Sequence, residues 1–238
     1  PSAFCGIAGI KPTYGLCSRA GVLPLAQSLD TTGPMAWTVE DCALLLDCMA
    51  GHDAADPSSA DRPKPDLLSG LNDGVKGLRI GLVRHFFEDD AAASPAVQRT
   101  VHAAAEVFRG LGASVTEVTL PSLQHCNAAG WMILMAEAYA VHEATLRTKY
   151  RLYGEFLRER LAVSSTLSAA DYIQAQRWRR SYRDRMTEVM RGVDVLLTAA
   201  QLIEAAPIDR MTKWASFEAP NLTIPCHITG QTARVVCG

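Results

Sequence analysis

The 238-residue chain is 48% hydrophobic and 20% charged, and its 23 Lys and Arg nearly balance 25 Asp and Glu, for a formal net charge of -2. Nearly half the residues can be buried, which excludes an intrinsically disordered chain, and the length suits one sizeable domain or two small ones. A near-neutral chain has no overall field to gather nucleic acid or an anionic membrane. Residues 118–136 form the longest uncharged stretch of interest, but Pro121, Gln124, His125 and Asn127 interrupt it, and a spanning helix needs about 20 mostly apolar residues. No basic region followed by an apolar run marks a signal peptide at the start. The chain opens on Pro1 rather than Met, so a fragment is expected.

Residues 1–37 are rich in Gly, Pro, Ser and Thr and carry little charge, which predicts tight turns between short extended pieces packed against something else. Thr38-Val39-Glu40-Asp41 then offers a capping box for a helix carrying Ala43, Leu44, Leu45, Leu46, Cys48 and Met49, with Gly51 as its stop. Residues 52–72, dense in Asp, Pro and Ser, read as a surface loop.

A β-α-β unit follows. Residues 78–84 (LRIGLVR) form a short apolar strand, and Ser94-Pro95 starts a helix whose apolar face holds Val97, Val101, Ala104, Ala105, Phe108 and Leu111. Gly112 ends that helix, and residues 114–120 (SVTEVTL) are β-branched and strand-like. This order implies parallel pairing through a right-handed crossover. Residues 124–191 read as mostly helical, broken near Gly154 and near Ser164-Ser165. Residues 193–198 (VDVLLT) read as another buried strand, and residues 233–237 as a last short apolar piece.

Side-chain chemistry narrows less. Gly6-Ile7-Ala8-Gly9-Ile10-Lys11 is only loosely like a phosphate loop, because Pro12 follows Lys11 where a helix should start. The six histidines are scattered, and His125-Cys126 and Cys226-His227 are adjacent pairs that point to opposite faces in extended chain, so no metal site is expected. The seven cysteines (Cys5, Cys17, Cys42, Cys48, Cys126, Cys226, Cys237) contain no C-x-x-C, which fits a reduced, cytoplasmic setting. Residues 147–191 hold 11 of the 23 basic residues against five acids, densest at Arg177-Trp178-Arg179-Arg180-Ser181-Tyr182-Arg183-Asp184-Arg185. RNA contact is one reading of that run; the favoured one is a solvated helix face with Trp178 and Tyr182, at i and i+4, packed inward. Ser2, Ser18 and Ser28 lie in the turn-rich N-terminal stretch with Lys11, but no G-x-S-x-G elbow is present and nothing local is expected to lower the pKa of Lys11.

The N-terminal stretch resembles the downstream part of the amidase signature. The matching run is Pro1-Ser2-Ala3-Phe4-Cys5-Gly6-Ile7-Ala8-Gly9-Ile10-Lys11-Pro12-Thr13-Tyr14-Gly15, followed by Ser18-Arg19, Gly21, Pro24-Leu25, Ser28-Leu29-Asp30-Thr31-Thr32-Gly33-Pro34-Met35 and Thr38-Val39-Glu40-Asp41. Weaker similarity covers residues 77–83, Ala136-Glu137-Ala138, residues 194–198 and Asn221-Leu222-Thr223. Trp37 stands where the family commonly has Arg, and Thr232 and Arg234 occupy the Pro and Leu positions of a Gly-Gln-Pro-Ala-Leu stretch.

The resemblance implies an α/β fold, an α/β/α sandwich with a mixed twisted sheet, here truncated at both ends. Residues 1–238 would be a partial amidase domain, with 1–50 the downstream half of the signature segment and its following helix, and 51–238 the remaining α/β and helical part. It also implies amide hydrolysis by a Ser–cis-Ser–Lys triad. All three residues precede the position of Pro1, so no catalytic residue is expected in this chain, which alone would be inactive. Lys11 matches a structural signature position. Trp131, Met132 and Met135 match the helix that lines the substrate channel, and an apolar, adaptable wall suits Trp and Met; core packing is the competing role. No cofactor or metal is implied. The expected partners are a small-molecule amide and a second copy in a homodimer, with nucleic acid only if the chain is the A component of an aminoacyl-tRNA amidotransferase. A catalytically silent scaffold is the third reading.

Overall fold

A computed structural model describes residues 1–236 apart from 211, 213, 215, 216 and 218. Cys237, at the end of the predicted last strand, lies outside the described residues. The architecture is α/β, with both parallel and antiparallel pairing divided between two three-stranded sheets.

The N-terminal stretch folds as the short helix α1 (Ser2–Cys5), strand β1 (Ala8–Lys11) and strand β2 (Met35–Ala36). Gly6 ends α1 at φ 64°, a left-handed conformation that suits a residue without Cβ. Helix α2 (Val39–Met49) begins where expected: the Thr38 hydroxyl accepts the Asp41 N–H at 3.0 Å. Ala50, one residue before Gly51, is already extended and pairs with Cys17. β1 is the centre of the antiparallel sheet, flanked by β2 and the last strand, β6 (Ala233–Val235). The side chain of Arg234 is exposed on β6, so its charge stays hydrated.

The predicted β-α-β unit forms the second sheet. Strand β3 (Arg79–Leu82) pairs in parallel with β4 (Ser114–Glu117), Ile80 opposite Val115. Between them run the short helix α3 (His85–Glu88) and α4 (Pro95–Gly110), where the Ser94 hydroxyl accepts the Val97 N–H. Leu111, read as part of the apolar face of α4, is 59% exposed, because the helix has already ended at Gly110. Strand β5 (Val195–Leu197) joins the other edge of β3, also in parallel.

The long helical region resolves into α5 (Leu123–Lys149), α6 (Glu155–Ser164) and α7 (Ala169–Met190), with breaks at the two predicted places. A capping box, Ser168 with Asp171, starts α7. The six-residue α8 (Ile224–Thr229) precedes β6. No helix among the described residues is long and apolar enough to cross a membrane.

The main core lies between the parallel sheet and α3, α4, α5, α7 and α8, around Leu82, Phe86, Phe87, Leu123, Ile133, Tyr182, Met186 and Ile228. A smaller core of Ala8, Ile10, Cys17, Cys42 and Leu46 joins β1 to α2. Trp178 and Tyr182 stack with ring centroids 5.0 Å apart, and Tyr182 is buried, as the helical spacing predicts. Residues 52–72 form the expected loop and most of them are exposed, but Asp56 and Ser59 within it are buried.

Candidate functional site

The signature-like segment is pinned to the antiparallel sheet through glycine. A Cβ on Gly33 would lie 2.1 Å from the Ile10 carbonyl oxygen and 2.7 Å from Pro12 Cδ, so only glycine lets this loop lie against β1. The adjacent Pro34 carbonyl accepts the Ile10 N–H at 3.0 Å. Upstream, the Asp30 carboxylate accepts the N–H groups of Leu25 and Ala26 at 2.8 and 3.0 Å and closes a turn that presents Gln27 and Ser28 to the helices.

Ser28 is the hub of a polar network. Its N–H donates to Glu137 Oε2 at 2.8 Å and its hydroxyl donates to Glu137 Oε1 at 2.7 Å. The Tyr172 hydroxyl donates to the same Oε1 at 2.8 Å, and Gln176 Nε2 donates to Tyr172 Oη at 2.9 Å. From α7, Arg179 Nη1 donates to Ser28 Oγ at 2.8 Å, Nη2 to the Ser28 carbonyl at 2.9 Å, and Nε to the Ile228 carbonyl at 2.6 Å. Burial pushes the Tyr172 phenol up, with the Glu137 carboxylate adding to it. Burial pulls the Arg179 guanidinium down from its ordinary value, reinforced by Arg183 and opposed by Glu137. Tyr14, Gln27, Ser28, Glu137, Ala140, Val141 and Tyr172 line an open cleft of about 460 Å³ above this network.

A second cleft, about 410 Å³, shares Gln27 and Val141 with the first and reaches Arg19 and Asp56. Arg19 donates to Asp56 from its N–H and from Nε, to the Gln27 carbonyl from Nη1 at 2.6 Å, and to Ser58 Oγ. Its guanidinium also lies 5.1 Å from the centroid of the Tyr14 ring. This is how a carboxylate within residues 52–72 comes to be buried: every buried charge must be paired, and Arg19 and Ser58 pair this one.

The three predicted pocket residues sit on α5, N-terminal to Glu137. Trp131 and Met132 pack partly buried against the main core, and the Trp131 ring lies 4.3 Å from that of Phe217, centroid to centroid. Met135 is half-buried. None of the three lines either cleft described above.

The N-terminal serines and Lys11 do not assemble into a nucleophile–base pair. Ser18 donates to Asp53 at 2.6 Å, Ser28 to Glu137, and Ser2 is buried, its Oγ 2.5 Å from where a Cβ on Gly9 would sit. Lys11 Nζ donates to the Pro12 carbonyl at 2.9 Å, and among the described residues no hydrogen bond joins it to any of the three. The pKa of Lys11 is nonetheless lowered, because packing around β1 strips water from the ammonium group, an effect that does not arise from its local sequence. Trp37 is 82% exposed. Among the described residues six cysteines are free thiols, three of them (Cys17, Cys42 and Cys126) buried. Among the described residues no group of three His, Cys, Asp or Glu is placed to hold a metal ion.

Arg179 and Glu137 escaped the sequence reading, the first inside a charge-rich helix and the second inside a weak resemblance. A signal for Arg179 was present. Tyr172, Ala175, Arg179, Tyr182 and Met186 recur at helical spacing, and a charge in such a stripe requires a buried partner.

The sequence profile of the family described as Amidase matches residues 1–236. The chain belongs to the amidase signature family. An amidase of Pseudomonas putida is 36% identical to it over 258 residues, a match covering 100% of this chain and 55% of that protein. The A component of the glutamyl-tRNA(Gln) amidotransferase of Alkalilimnicola ehrlichii is 39% identical over 221 residues, 83% of this chain and 45% of that protein. Among solved structures, one described as a vestigial protein complex that reveals the evolutionary origins of an s-triazine catabolic enzyme superposes with a TM-score of 0.86 at 32% identity, over 98% of this chain and 51% of that one. The A component of the glutamyl-tRNA(Gln) amidotransferase of Thermotoga maritima superposes with a TM-score of 0.82, also at 32% identity, over 99% of this amidase-family chain and 52% of that one. The chain thus spans about half the length of the relatives it matches.

Proposed function

We propose that this chain is the downstream portion of an amidase that hydrolyses carboxylic amides to an acid plus ammonia or an amine. The observation that carries this reading is the family match over residues 1–236, together with full coverage of the chain by the Pseudomonas putida amidase. By resemblance, the nucleophilic Ser, the bridging cis-Ser and the base Lys come from sequence preceding Pro1, from a Gly-Gly-Ser-x-Arg turn and upstream of it. A neutral Lys takes the proton of the Ser hydroxyl through the bridging Ser, the Ser oxygen attacks the amide carbon, and the amine leaves with a proton. Water then cleaves the acyl-enzyme. Backbone N–H groups of the nucleophile turn stabilise the oxyanion, each worth about 2.7 to 4 kcal/mol. This chain would supply the scaffold behind that turn and, through Trp131, Met132 and Met135, the wall that receives the acyl group. No metal or organic cofactor enters this scheme, and the free thiols suit a cytoplasmic setting.

Labelling with a fluorophosphonate tests the reading. The 238-residue chain alone should stay unlabelled, and the protein isolated from its source should label at a Ser of an upstream Gly-Gly-Ser turn. Stoichiometric labelling of a Ser within residues 1–238 would overturn it. In the active enzyme, Met132→Ala should shift preference among amides of different acyl length; an unchanged preference removes Met132 from the wall.

A second reading is the A component of an aminoacyl-tRNA amidotransferase, favoured by the 39% identity to such a protein and by the exposed Arg177, Arg180 and Arg183 on α7. Copurification with tRNA and a second, different polypeptide supports it, and a lone homodimer opposes it.

A further inference from the structure

We propose that Arg179 is a positioning residue that locks two separate points of α5 together and so fixes the helix segment carrying the acyl-pocket wall. The pocket half of this role rests on the amidase reading above; the clamp itself does not.

The clamp has two arms. One runs through α8. Ile228 lies in the last turn of α8, where carbonyls have no intrahelical partner, and Arg179 Nε donates to the Ile228 oxygen at 2.6 Å. α8 in turn lies so close to α5 that a Cβ on Gly130 would be 2.5 Å from Ile224 Cγ2 and 3.3 Å from Ile228 Cγ2. The position of α8 is thereby passed to α5 at Gly130, next to Trp131. The other arm runs through Ser28. Arg179 Nη1 and Nη2 hold its hydroxyl and carbonyl, while the same residue gives its N–H and O–H to Glu137, further along α5.

Gly130 and Glu137 are about 10 Å apart along the helix axis at 1.5 Å per residue, and Trp131, Met132 and Met135 all lie between them. A planar guanidinium with donors in a fixed fork can serve Ile228, Ser28 Oγ and the Ser28 carbonyl at once, and a lysine ammonium at the end of a flexible stem cannot. The acceptors come from residues 28 and 228, the N- and C-terminal parts of the chain. Glu137 completes the second arm, and the neighbouring positive charge is Arg183.

The test compares wild type, Arg179→Lys and Arg179→Ala. In hydrogen–deuterium exchange on the full-length protein, both variants should speed exchange in residues 25–34 and 224–229 and leave residues 79–82 and 101–105 unchanged. Unchanged exchange in the first two segments overturns the clamp. In the enzyme isolated from its source, ammonia release from propionamide, hexanamide and benzamide reads the pocket. Arg179→Lys should raise KM for hexanamide and benzamide about 10-fold with kcat changed less than about 3-fold, because the loss is one of pocket fit. Millimolar guanidinium ion should restore the Ala variant, which a general folding defect would not allow. An equal loss for all three amides, or no rescue, overturns the positioning role. If wild type releases no ammonia from any amide, the amidase reading fails while exchange still decides the clamp.

Discussion

Arg19 and Asp56 meet twice at one oxygen: the backbone N–H of Arg19 donates to Asp56 Oδ2 at 2.8 Å, and its Nε lies 3.4 Å from the same atom. The other carboxylate oxygen accepts the Ser58 N–H at 2.9 Å and the Ser58 hydroxyl at 2.7 Å. One carboxylate thus ties the residue after Ser18 to the segment beyond α2, across 37 positions. The same arrangement governs acid stability.

The hydrogen bonds from Ser58, then those from Arg19, hold the Asp56 carboxyl well below the usual carboxylate range. A folded-state pKa below the unfolded one means that the contribution is fully present above the unfolded value, about 3.9, and is lost as pH falls through the folded one. Asp56→Asn should therefore lower the urea midpoint at neutral pH, keep most of that difference from wild type at about pH 3, and show a clearly smaller one only at about pH 2, nearer the folded pKa. An equal difference at neutral pH and at about pH 2 would show that the charge of Asp56 does not contribute.

Glu137→Gln should destabilise the fold by about 1–3 kcal/mol, the cost of leaving half-buried donors unsatisfied. Both carboxylate oxygens accept in this structure, one from two hydroxyls and one from a backbone N–H, and a carboxamide has a single acceptor oxygen. Urea denaturation at neutral pH reads the effect. A midpoint equal to that of wild type would mean that water satisfies the Ser28 and Tyr172 donors equally well.

Two glycine substitutions should move stability in opposite directions. Gly33→Ala drives a methyl into the Ile10 carbonyl on the central strand β1, which cannot yield without moving the sheet, and should cost about 3 kcal/mol. Gly110→Ala, at the end of α4, meets nothing within 4 Å and has no positive φ, so it should gain about 0.5–1 kcal/mol in helix preference. Thermal unfolding of the two variants side by side checks both signs, and a stable Gly33→Ala protein would mean that the loop leaves β1 at little cost.

What could be read in advance was local. Thr38 and Ser94-Pro95 set helix starts because a cap or a missing donor acts within one turn, and LRIGLVR and SVTEVTL announced parallel strands by their order around a helix. The long run from Pro1 to Gly15 carried the family by its residue order alone.

The chemistry of the clefts was decided elsewhere. Asp56 looked like a loop acid, Arg179 like one of many solvated arginines, and Lys11 like an ordinary lysine. Each changed character when tertiary packing removed its water: Arg19 joined the local Ser58 around Asp56, Ser28 and Ile228 closed around Arg179, and packing on β1 closed around Lys11. Short-range patterns survive in a sequence because backbone hydrogen bonds and side-chain periodicity involve residues a few positions apart. Burial of a charge is a property of segments 37 to 151 positions apart, and only the tertiary structure brings those together.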